Sequence, residues 1–169
     1  MSGPEAQPRA GGLPFFRSIL VYFGIGFVLH LVWENAQAPL YAGFESFAQH
    51  FGMCLYATAT GDMIFMAVIY AGLAAAFSNP DWPRRLDLLR HSATWILPLI
   101  IGPLLAVSFE LWVIHVEERW VYGELMPVVP VLEVGLSPLA QMAVIPPATI
   151  LLAHKFLREP DNTVPDREP

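Results

Sequence analysis

FELWVIHVEERWVYGELMPVVPVLE, residues 109 to 133, decides how the chain is read. Two apolar runs meet in this stretch, and each carries a carboxylate: Glu110 before the junction and Glu133 after it. Between them stand His115, Glu117, Glu118, Arg119, Trp120 and Tyr122, a polar and aromatic seam of the kind found where helices leave a bilayer.

The rest of the chain agrees with a membrane reading. Its 169 residues are 55% hydrophobic and 14% charged, with a mean hydropathy of +0.49, whereas a soluble domain has about a quarter charged residues. Four apolar runs hold the excess, at about 15–33, 53–77, 92–116 and 128–153. Each is close to the roughly 20 residues that cross a hydrocarbon core as a helix. The fold class is therefore all-α, a polytopic membrane protein built as a four-transmembrane-helix bundle over 15–157. The tails, 1–14 and 158–169, lack an apolar period and read as flexible. Phe44, Phe47 and Phe51 are spaced for a short interfacial helix in the first outer loop. Pro98, Pro103, Pro146 and Pro147 fall inside spans, where prolines kink helices packed on neighbours.

A secretory signal competes for the first run, because Arg9 and Arg17 precede it and Ala36-Gln37-Ala38 resembles a cleavage site. The run is long for a signal, however, and His30, Trp33 and Glu34 interrupt the approach to that site. An anchor is the better reading.

Loop charge sets the orientation. With four spans, both termini and the middle loop share a side, which carries Arg9, Arg17, Arg84, Arg85, Arg90, Lys155, Arg158 and Arg167. Of the 9 Lys and Arg residues, only Arg119 lies opposite. The positive-inside rule then puts both termini in the cytoplasm, as in a bacterial-type inner membrane. The single Cys54 excludes an intrachain disulfide, and the absence of a basic stripe speaks against nucleic acid.

The ionisable residues inside the spans converge in depth. His30 and Glu34 close span one. At a rise of 1.5 Å per residue, Asp62 lies about 10–14 Å into span two, Glu110 about 9 Å before the end of span three, and Glu133 about 8 Å into span four. All five are expected in the outer half of the bilayer. His30 and Glu34, at i and i+4, stand on one helical face. A carboxylate at the bilayer centre costs roughly 2.5–3.5 kcal/mol, so Asp62, Glu110 and Glu133 should face inward and share a proton, a cation, a histidine or water. The bland alternative is a packing hydrogen bond for His30 and a solvated interface position for Glu34.

Four chemistries suit such a cluster. His and carboxylate ligands without thiolate suit a divalent metal, held by His30, Glu34, Asp62, Glu110 and Glu133. The same five residues could instead serve acid–base chemistry on a small apolar or lipid-like ligand. A proton or cation path is a third option, though the inner half offers few polar residues to continue it. A non-catalytic accessory subunit bound to another membrane protein is the fourth. HLVWE, residues 30–34, resembles the His-x-x-x-Glu helix of the sterol-isomerase-like EXPERA membrane domains, which also bundle about four helices. That resemblance covers one motif and the span count; it implies a pocket for a lipid- or sterol-like ring with His30 and Glu34 as proton carriers. The ligand pocket is favoured, without a named reaction or cofactor.

Overall fold

The computed structural model describes residues 12–157 except Glu118. The expected tails therefore lie outside the described residues, apart from 12–14, and so does the side chain of His115. Helix α1 spans Gly12–Gln37 and ends in a 3-10 turn at Ala38–Leu40, where Pro39 sits in the first turn. Helix α2 (Phe47–Ala57) passes through one π-helical turn (Thr58–Asp62) into α3 (Met63–Ala76). After a 3-10 turn at Trp82–Arg84 come α4 (Leu86–Leu89) and α5 (Ala93–His115). A two-stranded hairpin, β1 (Val128–Val129) and β2 (Val134–Gly135), leads into α6 (Leu136–Leu157).

Among the described residues, four helical stretches are long and apolar enough to cross a membrane: Pro14–Leu40, Phe47–Ala76, Ala93–Ile114 and Leu136–Leu157. Helix α1 packs on α6, α6 on α5, and α5 on α3, while α2 and the π turn lean on α1. The tightest approach is between α5 and α6. A Cβ on Gly102 would collide with the Met142 carbonyl oxygen, so only glycine lets the two backbones meet there. Outward faces present large apolar side chains such as Phe16, Val28, Ile64, Leu99, Leu104 and Leu151.

Two boundaries differ from those expected. The aromatic segment around Phe47 and Phe51 is not a separate interfacial helix; it forms the first turns of the second long helix. Ser46 starts that helix by accepting from the Gln49 amide at 3.4 Å, and nothing between Phe47 and Ala76 breaks it. The fourth helix starts at Leu136, eight residues after Val128. Residues 128–135 form a hairpin instead, with Val128 paired to Gly135 and Val129 to Val134 across a turn at 130–133. Val131 and Glu133 in the turn both have positive φ, 74° and 54°, which no helix accommodates.

One end of the molecule, which carries Trp82, is closed by packing. Tyr22, Tyr70 and Trp82 meet edge-on or tilted, with ring centroids 5.1–5.7 Å apart. Tyr70 donates to the Pro80 carbonyl at 2.6 Å, Ser18 hydrogen-bonds Asp81, and the His154 ring lies 3.2 Å from the Pro83 carbonyl. The opposite end, around Tyr122, holds the cavity.

Candidate ligand cavity

A cavity of about 470 Å³ opens between α1, the α2–α3 helix, α5 and α6. Glu34 from α1, Asp62 from the π turn and Glu110 from α5 all line it. Its walls are otherwise mostly apolar and aromatic: Tyr41, Tyr56, Phe65, Phe109, Trp120 and Met142. The π turn bears on the placement of Asp62, because an i→i+5 turn inserts a residue and re-aims those beside it. Gly61 faces the same space, and a Cβ there would meet nothing within 4 Å.

Behind Glu34 runs a hydrogen-bonded chain of fixed direction. Ser137 Oγ donates to Gln37 Oε1 at 2.8 Å. Gln37 Nε2 donates to Glu34 Oε1 at 2.8 Å and to Gln141 Oε1 at 3.2 Å. With its oxygen thus engaged, Gln141 presents Nε2 to His30 Nδ1 at 2.9 Å. The pattern assigns Nδ1 as an acceptor and puts the ring proton on Nε2. His30 is 0% exposed, and its Nδ1 stands 3.5 Å from Asp62 Oδ2. Two acceptors therefore face each other across that gap. Asp62 Oδ2 is buried and has no hydrogen-bond partner.

Glu110 is anchored from the other side. It is 5% exposed, and Tyr122 donates its hydroxyl proton to Glu110 Oε2 at 2.5 Å. The same hydroxyl oxygen accepts from the Gly135 amide at 2.6 Å. A Cβ on Gly135 would lie 3.0 Å from the Tyr122 ring, so glycine lets the ring sit flush on β2. The Tyr122 segment is itself held to the end of α1. Ala42 N donates to the Val121 carbonyl at 2.9 Å, and Gly123 N to the Leu40 carbonyl at 2.8 Å. Burial raises the Tyr41 hydroxyl pKa above its usual range, and the Glu110 and Glu34 charges add to the effect. The Tyr122 hydroxyl is raised too, by burial first and then by its bond to Glu110.

Of the five residues the sequence singled out, Glu34, Asp62 and Glu110 line one cavity, and His30 backs it through Gln141. Glu133 does not join them. It is exposed in the hairpin turn, because Pro127, Pro130 and the valine run favour an extended segment where a helix was expected. Gln37 and Gln141 were not foreseen as the links between His30 and Glu34. A signal existed for Gln37, which lies three residues after Glu34 and seven after His30, on their helical face. Among the described residues, no group of three or more His, Cys, Asp and Glu side chains is placed to hold a metal ion.

No protein-family model, curated protein or solved structure matches the chain. The likeness to EXPERA domains thus stays confined to the His30–Glu34 motif and the count of four spans.

Proposed function

We propose that the chain is a small multi-pass membrane protein whose cavity binds or converts a small apolar or lipid-like ligand by acid–base chemistry. The observation that carries this reading is the cavity that Glu34, Asp62 and Glu110, from three helices, line together. Aromatic walls supply the apolar surface such a ligand needs, and a few convergent polar groups supply its orientation. The outward apolar faces of the helices support insertion, because so large an exposed apolar surface is unstable in water. The cavity opens on the side away from the basic loops; the positive-inside rule supports cytoplasmic termini, and with them a cavity in the outer half of a bacterial-type inner membrane. Glu34 and Asp62 are the proposed proton carriers. Glu110 is the anchored carboxyl, and His30 fixes the end of the amide chain through Gln141. Metal binding by these residues is the weaker alternative, since among the described residues no three His, Cys, Asp or Glu side chains stand close enough together to share one ion.

The test is to fill the space. Gly61→Trp adds a large ring to the cavity wall, at a position where a Cβ meets nothing within 4 Å. Organic extracts of wild-type protein, purified in mild detergent, should contain a lipid-like molecule by mass spectrometry that Gly61→Trp lacks. Identical extracts from the two folded proteins count against the reading. Orientation is tested separately. An impermeant maleimide should label Val131→Cys in intact cells and leave Lys155→Cys unlabelled.

A second reading has one observation in its favour. Val121, Leu125 and Val131 at the hairpin end are 67%, 77% and 96% exposed, beyond the ends of the long helices. An accessory subunit would cover such a tip with a partner membrane protein.

A further inference from the structure

The cavity holds an imbalance that the ligand must answer. Among the described residues, three carboxyl side chains line it against one cationic side chain, Arg119. Arg119 is already engaged: its Nη2 lies 3.1 Å from Glu117 Oε2, and its guanidinium stands 5.7 Å from the Trp112 ring centroid. His50, also on the wall, has its Nδ1 3.1 Å from the Ser46 carbonyl. Glu110 receives Tyr122, and Glu34 receives Gln37. Asp62 Oδ2, by contrast, is buried without a donor, and its one nitrogen neighbour, His30 Nδ1, is committed as an acceptor. The carboxyl group meets the cavity through the rest of its surface, the side chain being 13% exposed, so a charge that no protein group offsets calls for a positive charge on the cavity side.

The walls say which kind. A metal ion would need several ligand atoms in reach, and among the described residues none gather. Rings occupy that place instead. Tyr41 meets Trp120 edge-on at 6.3 Å, and Phe65 meets Phe109 edge-on at 5.6 Å, with all four lining the cavity. Aromatic faces beside carboxylates recognise organic onium groups, whose charge is spread over apolar substituents and weakly hydrated.

We propose that the cavity takes a lipophilic organic cation, a protonated amine or quaternary onium seated at Asp62 with its apolar body against Tyr41, Phe65, Phe109 and Trp120. The proposal rests on the ligand-cavity reading and adds the sign of the ligand's charge. Glu34 and Glu110 reinforce the field at the seat without touching every ligand.

Two phenyl-rich probes separate charge from apolar fit: tetraphenylphosphonium and neutral triphenylphosphine oxide. Each is titrated calorimetrically into the full chain in nonionic detergent, with protein-free micelles subtracted. Tetraphenylphosphonium should bind at least tenfold more tightly than the oxide. Asp62→Asn should cut that preference to below threefold by weakening tetraphenylphosphonium binding. Should Asp62→Asn lose its helical circular dichroism, Glu34→Gln serves in its place and should at least halve the preference. Equal binding of the two probes to wild type overturns the cation and leaves the apolar cavity standing. Preference retained in full by the folded variant overturns the seat. No saturable binding of either probe to folded protein overturns both this proposal and the cavity reading beneath it.

Discussion

Replacing Gln141 with leucine tests whether the amide chain behind Glu34 holds helices α1 and α6 together. Gln141 is 2% exposed, and leucine fills nearly the same volume, so the change removes hydrogen bonds without opening a cavity. Two bonds go: the one to His30 Nδ1 at 2.9 Å and the one from Gln37 Nε2 at 3.2 Å. Gln37 keeps Glu34 and Ser137. His30 is left with neither ring nitrogen partnered, since its Nε2 already has none. An orphaned buried polar group costs about 1–3 kcal/mol in soluble proteins. Interhelical hydrogen bonds in membranes average about 0.6 kcal/mol and reach about 1.7. The lower end is favoured if Nδ1 takes the ring proton and closes the 3.5 Å gap to Asp62. The expected loss is therefore about 1–2 kcal/mol, read from reversible unfolding in mixed detergent–dodecylsulfate micelles followed by circular dichroism. His30→Leu alone should cost a similar amount, because it strands Gln141 Nε2. The double variant should then cost no more than either single change, since both partners have gone together. A Gln141→Leu loss below about 0.3 kcal/mol, or a double variant that costs the sum of the two, would refute the hydrogen-bonded link.

Tyr122→Phe strips the donor from Glu110 and the acceptor from the Gly135 amide. It should speed hydrogen exchange in the hairpin and destabilise by about 1–3 kcal/mol; unchanged exchange at Gly135 would contradict that pairing. Alkaline pH should act through the same region. The Tyr41 and Tyr122 hydroxyl pKa values are raised above the ordinary 10.0, so the unfolded chain gives up these protons first. Stability should be full below pH 10 and fall as pH climbs above it, and unfolding midpoints should show a shallower fall in Tyr41→Phe. Gly102→Ala pushes a methyl group into the Met142 carbonyl, and unfolding measurements should show a loss of about 1–3 kcal/mol as α5 and α6 separate. Glu133→Gln, on the exposed turn, should move stability by less than about 0.5 kcal/mol and leave probe binding by the cavity unchanged; a binding defect would mean that Glu133 reaches the site after all.

Hydropathy made the four long helices legible because an apolar stretch of some 20 residues has few other ways to bury or shelter its surface. It was a poorer guide to where the fourth helix begins. Val128 to Gly135 is apolar enough to count as a span, yet its prolines and β-branched valines favour an extended backbone, and hydropathy is blind to that difference. The error carried Glu133 into a site that it does not reach. A similar blindness hid the continuity of Phe47 with Ala76: three spaced phenylalanines mark an amphipathic face equally well on an interfacial helix and on the entry of a long one. The carboxylates of the candidate site were visible because charge in an apolar run is conspicuous. The groups that hold them were not. Gln37 and Gln141 are uncharged, lie 104 residues apart, and acquire meaning only once α1 packs on α6. Tyr122 resembled any boundary aromatic until the loop bonded back to Leu40 and brought its hydroxyl to Glu110. The sequence thus exposes the charges that a membrane cavity must accommodate, while the neutral donors that orient them emerge from packing. Asp62 is the instructive case. Its carboxylate was legible, but the missing donor at Oδ2 becomes apparent only after Gln141 has committed the facing histidine nitrogen as an acceptor.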